Sequence, residues 1–91
     1  MANTGTKEVS IARIKSPKGW NEPAQTPEFD ECTVVFKGEL RIKTKEKTFS
    51  VKAGQSVIIP RNIWVQYSTP KATEYISVCL PAFSQDKVNR D

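Results

Sequence analysis

Residues 31–60 read ECTVVFKGELRIKTKEKTFSVKAGQSVIIP, and the spacing of apolar groups inside them decides the fold class. In Glu39-Leu-Arg-Ile-Lys-Thr44 the apolar set is Leu40 and Ile42, and in Thr48-Phe-Ser-Val-Lys52 it is Phe49 and Val51. Side chains alternate across a strand, so each segment has one dry face and one wet face, and Lys45-Glu46-Lys47 joins the two as a hairpin. Val57, Ile58 and Ile59 form an unbroken apolar run, the pattern expected of a strand covered on both faces, and Pro60 ends it by withholding a backbone donor. Gly38 and Gly54 stand at breaks in the alternation, where a positive φ lets the chain turn tightly.

Outward from this stretch the two-residue period continues, giving strands at residues 9–14, 32–36, 39–44, 48–52, 56–59, 63–67 and 73–80. No window of eleven residues keeps apolar groups at helical spacing, so the chain reads as all-β. Short strands divided by turn formers such as Pro60-Arg61-Asn62 and Thr69-Pro70-Lys71 indicate a sandwich or barrel. Residues 16–27 carry three prolines, Gly19 and Trp20 and are expected to form a long, lid-like loop rather than a central strand. The tail, residues 81–91, is expected to make one helical turn after Ser84, with Phe83 and Val88 packing over an open barrel end.

At 91 residues there is room for one hydrophobic core, so residues 8–91 are read as a single domain behind a flexible segment, residues 1–7. The chain has no histidine, which excludes Ser-His-Asp and Cys-His nucleophilic catalysis and histidine-built zinc sites. The net charge of +4 invites a nucleic-acid reading, but Lys37, Lys43, Lys45, Lys47 and Lys52 alternate with apolar or hydroxyl residues as the wet face of a sheet does. No nucleic-acid partner is expected. No apolar run spans a bilayer and the first residues lack the apolar segment of a signal peptide, so no membrane contact and a cytoplasmic location are expected. Cys32 and Cys79 then read as reduced, buried thiols.

Two segments carry a family resemblance. Glu31 is followed by six residues and Gly38, Gly54 is followed by five residues and Pro60, and fifteen residues separate the two glycines. This punctuation resembles the cupin family across about residues 25–80, and implies a small double-stranded β-helix, or jelly-roll, barrel. The resemblance also implies a metal cage of three histidines and a glutamate, of which only Glu31 is present. The paired histidine positions fall at Gln25 and Pro27, or at Ala24 and Thr26, and the last at Val65, while Asn62 stands for a family glycine. Neither Fe, Mn, Ni nor Zn is expected to be held by one carboxylate, and Glu28, Asp30 and Glu31 alternate along a strand edge and cannot converge on a hard cation. No metal and no cofactor are expected. The ending, residues 74–84 followed by Val88-Asn-Arg-Asp91, resembles small bacterial cupins of the ethanolamine-utilisation EutQ type.

A small barrel either fills with side chains or encloses one small ligand. With Glu31 facing inward, Thr33 shares its face, and the position of Val65 brings Tyr67 inside. On the last strand Tyr75, Ser77 and Cys79 form one face and Ile76, Val78 and Leu80 the other; the first set is placed inside, and the reverse remains open at this level. Gln25, Glu31, Thr33, Tyr67, Tyr75, Ser77 and Cys79 are thus the candidate ligand residues, for a small polar or acidic metabolite. An alternative makes Glu31 a general base with Tyr67 or Tyr75 as proton donor in an isomerase or lyase, and another makes the barrel a structural or assembly scaffold. Trp20 and Trp64 are weighed as stacking platforms against core cover, and Arg41 and Arg61 as anion clamps against plain surface residues. Open sheet edges and limited buried area argue for a homodimer, with strand 9–14 as the segment crossing between subunits.

Overall fold

A computed structural model of the chain describes residues 8–90. Its strands are β1 (Ser10–Ser16), β2 (Trp20–Asn21), β3 (Asp30–Lys37), β4 (Glu39–Thr44), β5 (Thr48–Lys52), β6 (Ser56–Ile59), β7 (Val65–Thr69) and β8 (Thr73–Leu80), followed by the single helical turn α1 (Gln85–Val88). They form two antiparallel four-stranded sheets, ordered β1-β8-β3-β6 and β2-β7-β4-β5, which face each other as a jelly roll. The expected segment 1–7 lies outside the described residues.

The alternation read in residues 39–52 is realised as written: β4 and β5 pair with Leu40 opposite Val51 and Ile42 opposite Phe49. Leu40, Ile42 and Val51 join Val35, Ile59, Val65, Tyr67 and Tyr75 in the core between the sheets, and Lys37, Lys43, Lys45, Lys47 and Lys52 are all exposed. Burying such side chains contributes on the order of 1.5–3 kcal/mol each and draws the sheets together. Gly38 at the β3–β4 corner has φ +84°, and a Cβ there would lie 2.3 Å from Ala72 O. Asn62 takes the left-handed conformation (φ 66°) at the β6–β7 corner, where its N–H donates to Pro27 O at 2.7 Å.

Four expectations are corrected. The run Val57-Ile58-Ile59 is not covered on both faces: β6 is a sheet edge and Ile58 points outward, 68% exposed. Residues 16–27 are not wholly loop, because β2 pairs with β7 and Gln25 bridges to both Val65 and Arg90. The strand expected at 63–67 begins at Val65, since Pro60 to Trp64 make the corner. The first strand also shifts, to Ser10–Ser16, and pairs with β8 along its whole length.

The tail behaves as its pattern suggests. Val88 of α1 is buried against Phe29 and Cys79, Phe83 packs on the same cluster, and the Phe29 and Phe83 rings stand 5.8 Å apart. Together they close one end of the barrel.

Candidate functional site

Above that plug lies a cavity of about 250 Å³ lined by residues of both sheets and of the tail, among them Glu22, Gln25, Glu31, Tyr67, Tyr75, Ser77, Cys79 and Arg90. Strand register explains the convergence. Glu31 on β3 stands between Ile59 of β6 and Cys79 of β8, and Tyr75, Ser77 and Cys79 share the inward face of β8. Thr33 is the exception among the sequence candidates. It is buried on the same face, one step further along β3 opposite Ser77 and Val57, and is absent from the cavity lining.

The Glu31 carboxylate accepts hydrogen bonds from Ser77 Oγ at 2.5 Å and Tyr67 Oη at 3.3 Å. Burial pushes its pKa up, and the two hydroxyl donors offset part of that rise by favouring the charged form. Tyr67 is held well above its usual value by burial and then by the neighbouring Glu31 and Glu22 charges, so it keeps its proton. Tyr75 is raised for the same first reason, with a bond to Ser16 opposing. Burial pushes the Cys79 thiol up to about 11, which makes it a packing group and not a nucleophile at neutral pH.

Glu22 was not legible as a site residue. It follows β2, where its N–H donates to Tyr67 O at 3.0 Å, and this pairing swings its side chain into the cavity. Desolvation raises its pKa from 4.5 to about 7, opposed by Arg90, whose Nη2 is 4.0 Å from Glu22 Oε2, and reinforced by Glu31. Arg90 arrives through the Gln25–Arg90 bridge at the end of the tail. Gln25 is 4% exposed, its backbone exchanges two hydrogen bonds with Val65, and no donor among the described residues reaches its Oε1. The only sequence signal for Glu22 was its place two residues after Trp20, which is visible only once β2 is known to be paired.

The stacking and clamping candidates lie elsewhere. Trp20 packs against the main core and Trp64 lies beneath Lys45, while Arg41 is exposed and Arg61 is bound to Asp30 by its backbone and side chain on the surface. The residues at the metal positions of the resemblance do not fit a transition ion. Val65 offers no donor, Gln25 offers one neutral amide, both Glu31 oxygens engage hydroxyls, and the described residues contain no group of three His, Cys, Asp or Glu side chains able to converge on an ion.

Comparison with known proteins places this geometry in a family. Residues 22–86 match the family model described as ethanolamine utilisation protein EutQ. The chain is 44% identical over 84 residues to a Myxococcus xanthus protein named endoribonuclease YbeY, covering 90% of this chain and 29% of that one. It is 32% identical over 57 residues to the Salmonella typhimurium acetate kinase EutQ, covering 63% of this chain and 25% of that one. The chain thus spans less than a third of these curated relatives. A cupin superfamily protein from Desulfitobacterium hafniense superposes with a TM-score of 0.82 at 14% identity, covering 88% of this chain and 73% of that chain, a likeness of fold. With the family match running over residues 22–86, which hold most of the cavity lining, this small jelly-roll barrel belongs to the ethanolamine utilisation protein EutQ family.

Proposed function

We propose that the barrel binds one small, donor-rich polar molecule, an amine or polyol, with Glu22, Glu31 and Gln25 accepting its hydrogen bonds. The observation that carries this reading is the convergence of two carboxylates and the unmet Gln25 Oε1 on one cavity of about 250 Å³. A buried acceptor without a donor costs free energy that a bound O–H or N–H would recover. The acidic half of the original expectation finds support only in Arg90, and the two carboxylates would repel an acid. For the same reason the acetate kinase activity named for the Salmonella relative draws no support from this cavity.

The test is a thermal-shift and calorimetric series of small amines, amino alcohols, polyols and carboxylic acids on the protein and on Glu31→Gln. Saturable binding of donor-rich compounds, weakened in the variant, supports the reading; binding confined to acids refutes it. A second reading, proton transfer by an acid–base pair, is favoured by one further observation. Glu22, near 7, is balanced between its two protonation states at neutral pH, with the protonated Tyr67 hydroxyl in the same cavity. Turnover of a bound compound, abolished in Glu22→Gln or Glu31→Gln, would assign an isomerase or lyase. A cavity that answers to no compound would leave the barrel as a scaffold.

A homodimer is part of the same proposal. Of the five exposed large apolar residues among those described, Ile11, Phe36, Ile58 and Leu80 lie on the outer face of the β1-β8-β3-β6 sheet, where Ile11, Val78, Cys32 and Ile58 form one row across all four strands. Charged Arg13, Lys15 and Glu74 edge this face at one end and Asp30 with Arg61 at the other. Strands of 7, 8, 8 and 4 residues, rising about 3.3 Å per residue and lying about 4.8 Å apart, present on the order of 400 Å² per copy, the size of a weak interface. An apolar centre with a polar rim suits a second copy of the same sheet. Sedimentation at twice 10.2 kDa, falling to 10.2 kDa in Val78→Asp, is the expected result. The two free thiols favour a reducing compartment such as the cytoplasm, and no helix among the described residues is long and apolar enough to cross a membrane.

A further inference from the structure

A second cavity, larger than that of the barrel, lies outside it. A crevice of about 510 Å³ opens between the tip of the β4–β5 hairpin and the β6–β7 corner, where the edge strands β5 and β6 of the two sheets part. Phe49, Val57, Ile63 and Trp64 line it together with Lys45 and Lys47. The Lys45 ammonium lies 4.5 Å from the Trp64 ring centroid and the Lys47 ammonium 5.2 Å from that of Phe49. Neither is in an ion pair among the described residues, whose salt bridges involve other cations. Concave apolar walls of this size with a few convergent charges are the ordinary make-up of a small-molecule site.

We infer that this crevice binds a small amphipathic anion, its aliphatic or aromatic body between Phe49 and Trp64 and its carboxylate between Lys45 and Lys47. The charge of the lining decides the polarity of the head group: two ammoniums stand against one carboxylate, Glu46, which is also part of it. The concave shape decides the source. A free molecule can enter a cleft with its body buried between two rings, and the vesicle arm of the test separates it from a lipid surface. The site is separate from the barrel cavity, because the two linings share no residue.

The probe is octanoate, titrated into a Trp20→Phe background so that emission reports Trp64 alone, with octylamine as the cation of matched chain length. Octanoate should give a saturable change and bind at least about tenfold tighter than octylamine, a preference of the size that charge-assisted contacts supply. Lys45→Gln with Lys47→Gln should remove that preference while circular dichroism stays unchanged, and Glu46→Gln should tighten octanoate. Glu31→Gln should leave the titration as it was. Equal response to the two probes, no saturable response to octanoate, or a response to phosphatidylglycerol vesicles alone would each overturn the inference, as would loss of the signal in Glu31→Gln, which would place the probe in the barrel.

Discussion

Glu22→Gln should stabilise the protein in mildly alkaline solution and do little in acid. Glu22 has a pKa of about 7 in the folded chain against an ordinary 4.5, because burial disfavours its charge more than Arg90 favours it. A raised carboxyl binds its proton more tightly in the native state, so its stabilising contribution is complete below the unfolded value and is lost as pH rises through the folded one. The rise from 4.5 to about 7 corresponds to roughly 3 kcal/mol of stability lost across that window. An amide cannot ionise and fits the same space. Urea unfolding of both proteins, followed by circular dichroism, should therefore agree to within roughly 0.5–1 kcal/mol at about pH 5, with the variant ahead by about 2–3 kcal/mol at about pH 8.5. Glu31 is also raised and gives both proteins a residual loss of the same sign. If the gap between the two proteins is the same at both pH values, or if the variant is the weaker one in alkali, the Arg90 ion pair outweighs desolvation and the account of this cavity is wrong.

Other outcomes follow from the same geometry. Gly38→Ala should cost at least about 2–3 kcal/mol, since a Cβ would meet Ala72 O at 2.3 Å in a left-handed backbone, whereas Gly54→Ala, with φ +86° and open space, should cost only about 1 kcal/mol; thermal midpoints decide. Val88→Ala should destabilise by about 2 kcal/mol by opening the barrel plug, and should make the buried Cys79 reactive toward a thiol reagent under native conditions. Cys32, half-buried on the outer apolar face, should react faster as the protein is diluted, if that face is closed by a second copy; a rate independent of concentration speaks against the dimer.

Much of this protein is local in origin. Leu40, Ile42, Phe49 and Val51 alternate because a strand exposes its two sides in turn, so the β4–β5 hairpin and its wet lysines can be read residue by residue, and so can the division of β8 into two chemically distinct faces. Glycine spacing marks where strands end, and Phe83 and Val88 declare a plug through their isolation in a polar tail. What no local pattern contains is which strand lies beside which. Ile58 is exposed because β6 is an edge, a property of sheet order and not of the run Val57-Ile58-Ile59. Glu22 and Arg90 reach the barrel interior because β2 pairs with β7 and the tail returns to Gln25, contacts that bring residues 68 positions apart to 4.0 Å. Which face of β8 lines the cavity, why Thr33 falls short of it, and how far a carboxyl must be dried before it holds its proton near neutrality depend on the distance between two sheets, and that distance is set only when the whole core packs.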